Sequence, residues 1–175
     1  MNIKYSEAKI KERIRLVSAL PKWFYKCGIK PTIAVCLHTP MLMRFVQKGY
    51  DDIWLERING VYLNQLDRRI FKAAHRNRNL RLKRYVFLEH KDTVGWHTHF
   101  VTETPPNMTI ENTICLMEKL WLKQCKNYTN PKFIDRLFWA EEIEGNYEAY
   151  IQKHIFNEDG TTIGKLDIKN TVIGN

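Results

Sequence analysis

The chain has 175 residues, 44% hydrophobic and 27% charged, which excludes a disordered or fibrous protein and suits one globular domain with a sizeable core. The formal net charge is +9, from 28 Lys and Arg against 19 Asp and Glu, and this points to a polyanionic partner, nucleic acid first. No run approaches the roughly 18 apolar residues of a membrane span, and the opening MNIKYSEAKIKERIR lacks the apolar centre of a secretory signal, so the expectation is a cytoplasmic protein without a membrane partner.

Taken in chain order, residues 5–20 (YSEAKIKERIRLVSAL) are compatible with an amphipathic helix ending before Pro21, within a helical extension over 1–28. PTIAVCLH (31–38) is β-branched and apolar and stops at Thr39-Pro40, which predicts a strand. Residues 41–59 fit a loop or a short helix. From 60 to 78, GVYLNQLDRRIFKAAHRNR sets Tyr62, Leu66, Ile70, Phe71 and Ala74 on one helical face and Arg68, Arg69, Lys72, Arg76 and Arg78 on the other.

LKRYVFLEH (82–90) and WHTHFVTET (96–104) read as strands joined by the turn KDTVG (91–95), a hairpin that Pro105-Pro106 stops. A helix follows over 109–126, with Thr109 as N-cap and Ile110, Ile114, Met117, Leu120 and Trp121 on its apolar face. DRLFWAEEI (135–143) reads as a strand and GNYEAYIQKHIF (145–156) as a short helix. The stretch 160–175 is polar and glycine-dotted, a last strand or a flexible tail. Cys27, Cys36, Cys115 and Cys125 form no CxxC and fit reduced, mostly buried thiols. The order β-α-β-β-α-β-α predicts a single α+β domain. Its central antiparallel sheet would carry helices in a ferredoxin-like, split β-α-β arrangement.

GWHTHF (95–100) places His97 and His99 two apart on a strand, hence on one face, with Thr98 on the other. Two imidazoles so placed can supply two nitrogens to one divalent ion. The hairpin folds Glu89 across from the pair. A carboxylate with two imidazoles suits Mg2+ or Mn2+ and leaves open positions for a substrate oxygen. His90 competes for the third position but faces the other way, and the hard oxygen of Glu89 is favoured for phosphate chemistry. Without a metal, the same pair would be hydrogen-bonded core histidines.

On the helix over 145–156, Tyr150 and Lys153 are neighbours at i and i+3. A cation beside a phenol stabilises the phenolate, so the pair could attack a phosphate. Alone, YxxK is more often a boundary tyrosine and a solvated lysine. Tyr147 lies one turn earlier, has no lysine three residues on, and ranks second as a nucleophile.

Three segments, TIAVCLHTP (32–40), GWHTHF (95–100) preceded by Glu89, and YIQK (150–153), resemble in this order the HUH endonuclease superfamily. Within it they are similar to the rolling-circle replication initiators (Rep proteins) of plasmids and small single-stranded DNA viruses. The resemblance spans residues 32–153. It implies a central antiparallel sheet, a divalent metal on His97 and His99 with Glu89 as third ligand, and attack by Tyr150 on a DNA phosphate. That attack would leave a 5′-phosphotyrosine and a free 3′-hydroxyl that primes replication, with Lys153 holding the phosphate. The tyrosines 147 and 150 are three apart, whereas two-tyrosine members typically space theirs by four, so the single-tyrosine form fits. His38 stands where the family usually has a small polar residue. The chain contains no GxxxxGK[ST], so on this reading unwinding needs a host partner such as a helicase, or the chain is a fragment of a longer protein.

The implied partner is single-stranded DNA or an origin hairpin, bound by a monomer or weak dimer. Arg68, Arg69, Lys72, Arg76, Arg78, Arg81, Lys83 and Arg84 are the candidates for phosphate contact, and Trp54, Trp96 and Tyr85 for base stacking. Two alternatives stay open. One is a single-strand tyrosine transposase or a relaxase, with similar chemistry. The other is a non-catalytic ferredoxin-like nucleic-acid-binding module, in which His97, His99 and Tyr150 only pack.

Overall fold

The computed structural model describes residues 26–39, 52–91, 95–126, 134, 136–144 and 162–173. Its elements are β1 (Ile33–His38), α1 (Asp52–Phe71), α2 (Ala73–Arg78), β2 (Arg84–Lys91), β3 (Gly95–Thr102), α3 (Ile110–Cys125), β4 (Phe138–Glu142) and β5 (Thr162–Leu166). The strands form one five-stranded sheet in the order β4-β1-β3-β2-β5, and every neighbouring pair is antiparallel. The protein is therefore α+β, as its sequence predicts. The helices expected over 5–20 and 145–156 lie outside the described residues. No helix among the described residues is long and apolar enough to cross a membrane.

The two faces of the sheet are built differently. Ile33, Val35 and Leu37 of β1, Val86 of β2 and Phe100 of β3 meet Tyr62, Leu63 and Leu66 of α1 and Met117, Leu120 and Trp121 of α3 in one buried cluster. Each fully buried side chain of this size contributes about 1.5–3 kcal/mol. The amphipathic helix faces read from the sequence supply Tyr62, Leu66, Met117, Leu120 and Trp121. Where an aromatic carries a polar tip, the tip is satisfied. Tyr62 Oη donates to the Met117 carbonyl (3.2 Å) and Trp121 Nε1 to the Leu137 carbonyl (2.8 Å). The opposite face carries a smaller cluster of Ile29, Ala34, Tyr85, Phe87 and Val101.

Helix α1 starts at Asp52 and so includes much of the stretch that the sequence left ambiguous. Its buried positions there include Glu56 and Asn59, and polar residues at buried positions blur an apolar period. Asn59 Oδ1 accepts from Thr98 Oγ1 on β3 (3.1 Å), and Glu56 pairs with Lys165 and Lys169 (2.7 and 2.8 Å). The helix expected to run unbroken to Arg78 is interrupted at Lys72, whose φ of 49° is outside the helical region. Helix α2 then ends on Asn79 in the left-handed conformation (φ 52°), which asparagine tolerates better than most residues.

Helix α3 begins as expected, with Thr109 Oγ1 accepting from the Asn112 amide (3.2 Å). The last strand of the sequence reading is present as β5. β5 pairs with β2, and beyond it Val172 exchanges backbone hydrogen bonds with Arg84 (2.9 Å each).

Candidate metal centre and basic face

The central strand of the sheet is β3, flanked by β1 and β2. Gly95 opens it at φ 74°, a value glycine reaches without a Cβ clash, and the hairpin register then sets Glu89 opposite His97. On the other flank, β1 sets His38 opposite His97 and Cys36 opposite His99. The period of two turns all five side chains to the face away from α1 and α3, because Val35 and Leu37 point to the helices.

Three of them converge. Glu89 Oε2 lies 3.2 Å from His97 Nε2 and 2.8 Å from His99 Nε2. One donor atom from each residue lies within 4.8 Å of the other two. Glu89, His97 and His99 are 6%, 5% and 6% exposed. His97 Nδ1 donates to the Gly95 carbonyl (3.0 Å), which places the proton on Nδ1 and leaves Nε2 a lone pair. Burial lowers the His99 pKa, with the neighbouring His97 adding to the effect against the pull of Glu89. Burial alone would raise the Glu89 carboxyl, but the two imidazoles outweigh it and hold the group at about 2. At neutral pH Glu89 is thus a carboxylate.

This donor set fits a divalent cation. Glu89 Oε2 is buried between the two ring nitrogens, and one carboxylate with two imidazoles is a donor set that a divalent ion accepts. His90, the competing third ligand, packs edge-on against Trp96 (ring centroids 5.2 Å apart), its strand neighbour, on the other side of the sheet.

Beside the triad sit two residues to which the sequence reading assigned no metal role. Cys36 Sγ is 3.3 Å from His38 Nε2 and 3.9 Å from His99 Nε2, and the His38 ring stacks on His97 at 5.4 Å and 16°. Burial, with the Glu89 charge adding, pushes the Cys36 thiol up to about 12. The local signal was the period of two in VCLH, which sets Cys36 and His38 on one face. That this face belongs to the histidine strand follows only from β1 pairing with β3.

Tyr150, Lys153 and the alternative nucleophile Tyr147 lie outside the described residues. Of the basic candidates, Arg68, Arg69, Lys72, Arg76 and Arg78 are exposed and Arg81 and Lys83 half-buried. Arg84 departs from that set. It is 2% exposed and donates twice to the buried Asp67 carboxylate, at 2.7 and 3.0 Å. A guanidinium held in the core by its counter-ion is not available to a DNA phosphate. Tyr85 is likewise fully buried and presents no stacking surface, while Trp54 and Trp96 are half-buried. Arg68 and Arg69 follow Asp67, the partner of Arg84, and Arg84 lies about 17 Å of strand from Glu89 at roughly 3.3 Å per residue, while α1 packs on the face of the sheet opposite the triad.

No protein-family model and no curated protein matches the sequence. Among solved structures, the chain is similar to the N-terminal nuclease domain of non-structural protein 1 from minute virus of mice. Identity is 10% and the TM-score 0.38, over 81% of this chain and 75% of that one. That domain is described with a Zn2+ coordinated in its active-site pocket and a mode of DNA recognition at the origin of replication.

Proposed function

We propose that the protein is a metal-dependent endonuclease of the HUH type that nicks and rejoins single-stranded DNA at a replication origin. The observation that carries this reading is the convergence of Glu89, His97 and His99 on adjacent strands, with the carboxylate oxygen between the two imidazole nitrogens. The motif resemblance supports it, as does the excess of basic charge.

In this mechanism Glu89 Oε2 and the Nε2 atoms of His97 and His99 hold a divalent ion, Mg2+ or Mn2+ on the oxygen chemistry of phosphate or Zn2+ on the imidazole content. When bound, that ion supplies positive charge to a phosphate oxygen of the scissile bond. Tyr150 Oη loses its proton to water and attacks phosphorus. The new Oη–P bond forms as the P–O3′ bond breaks, and the departing O3′ takes a proton to become a free hydroxyl. Lys153, three residues on in the sequence, neutralises the phosphate and favours the phenolate. Attack by a 3′-hydroxyl on the phosphotyrosine reverses the step and joins strands. Arg68, Arg69, Lys72, Arg76 and Arg78 grip phosphates of flanking DNA rather than of the scissile nucleotide, since α1 packs on the face of the sheet opposite the triad.

The test is incubation with single-stranded origin-type DNA and Mn2+, with the covalent protein–DNA adduct read on a denaturing gel. The adduct forms with the wild-type chain and with Tyr147→Phe, and is lost in Tyr150→Phe and His97→Ala. Retention in Tyr150→Phe with loss in Tyr147→Phe reassigns the nucleophile. Binding without any adduct supports the non-catalytic alternative.

A further inference from the structure

We propose that Cys36 is a fourth donor of this centre, positioned by His38, and that the centre therefore prefers a borderline divalent ion such as Zn2+ over Mg2+ or Mn2+. The inference rests on the reading of Glu89, His97 and His99 as a metal site and adds a ligand to it; the phosphate oxygen would then enter as a fifth ligand, an expansion that zinc accepts.

Three observations carry it. The register pairs Cys36 with His99 directly across the β1–β3 ladder, so both side chains leave the sheet on the triad's face. Cys36 Sγ stands 3.9 Å from His99 Nε2. Two ligands of one tetrahedral zinc, with Zn–N near 2.05 Å and Zn–S near 2.3 Å, are about 3.6 Å apart, so a few tenths of an ångström close the gap to His99. The sulfur stands outside the 4.8 Å grouping of the triad's donor atoms and must turn further toward Glu89 and His97 on binding. Finally, His38 Nε2 is 3.3 Å from the same sulfur while its ring is stacked on His97. An imidazole fixed in that way orients a cysteine ligand as an outer-shell partner does in other metal sites.

Charge balance points the same way. Two neutral imidazoles and one carboxylate leave a divalent ion with one uncompensated positive charge. Glu89, His97, His99 and Cys36 are each more than nine-tenths buried, where a net charge is costly. A thiolate brings the sum to zero. On binding, the Cys36 S–H bond is replaced by a sulfur–metal bond and the proton passes to water. A sulfur ligand then discriminates, because Mg2+ and Mn2+ favour oxygen donors whereas Zn2+ and Co2+ accept sulfur readily.

The experiment titrates the metal-free full-length chain with Co2+ and follows near-ultraviolet absorption, where thiolate-to-cobalt charge transfer appears. The wild-type chain and Cys115→Ser show the band. Cys36→Ser still binds Co2+ but lacks it, and its Zn2+ affinity falls by at least about tenfold, the lower end of what loss of even an outer-shell partner costs. Its Mn2+ affinity stays within about twofold. Wild-type binding of Co2+ without the band overturns the role of Cys36 and leaves the three-residue site standing. Absence of any Co2+, Zn2+ or Mn2+ binding overturns both. A band retained in both Cys36→Ser and Cys36→Ala assigns the sulfur to another cysteine and also sinks the proposal.

Discussion

Glu89 Oε2 comes closest to His99 Nε2, at 2.8 Å, although the backbone of Glu89 is paired with His97. The carboxylate reaches diagonally across the β2–β3 ladder and bridges both rings, which a residue paired with only one of them could not do with a shorter side chain. Aspartate at this position would fall short of the second imidazole.

Metal affinity follows from that reach. Glu89→Gln keeps the size and removes the charge, and is expected to weaken divalent-ion binding by at least about 10-fold. Calorimetric titration with MnCl2 and ZnCl2 reads this directly. For the wild-type chain, saturation at a hundred times Kd should add about 2.7 kcal/mol to folding stability, seen as a higher Tm, whereas binding tenfold weaker leaves the variant about 1.4 kcal/mol at the same metal concentration and a smaller rise. An equal rise in both chains places the ion elsewhere.

The metal-free chain should lose stability in acid. The Glu89 carboxyl is held at about 2 against an ordinary value of 4.5, so its folded state binds fewer protons than its unfolded state. Its contribution is fully present above the unfolded value and disappears as pH falls from about 4.5 toward 2. His99, lowered by burial, acts in the same direction from below its ordinary value of 6.5. Urea midpoints measured in EDTA between pH 7 and pH 3 should fall more steeply for wild type than for Glu89→Gln. Parallel curves would remove Glu89 from the account.

On the basic face, Arg76→Ala and Arg78→Ala should each weaken single-stranded DNA binding without regard to sequence. Each should reduce the slope of log affinity against log salt by roughly 0.7, the single-strand value per phosphate contact. Fluorescence anisotropy at several salt concentrations measures both. Slopes identical to wild type would take α2 off the DNA path.

Arg84 should behave differently because its partner is buried with it. Asp67 and Arg84 are 1% and 2% exposed, and removing one member strands the other. Asp67→Asn is expected to cost about 3–5 kcal/mol in urea unfolding, while Asp67→Leu combined with Arg84→Met recovers most of that loss. A cost below about 1 kcal/mol for Asp67→Asn would mean that Arg84 finds water or another acceptor.

Periodicity and turn chemistry made much of this protein legible in one dimension. Alternation along a strand sets His97 and His99 on one face, and a short hairpin brings Glu89 against them, because both rules act over a few residues. The same local rules set the Thr109 cap and the apolar faces carrying Tyr62, Leu66, Met117 and Trp121. They falter where buried polar groups replace apolar ones, as at Glu56 and Asn59 in α1, since a period in hydrophobicity cannot register a position held by hydrogen bonds. What only the tertiary structure decided is which strands lie side by side. The adjacency of β1 to β3 delivers Cys36 and His38 to the triad, that of β5 to β2 orders the chain's last described strand, and the burial of Arg84 on Asp67 removes a cation that composition assigns to the surface. Each depends on contacts between residues far apart in the chain, where the choice of neighbour rests on the packing of the whole sheet and not on any local pattern.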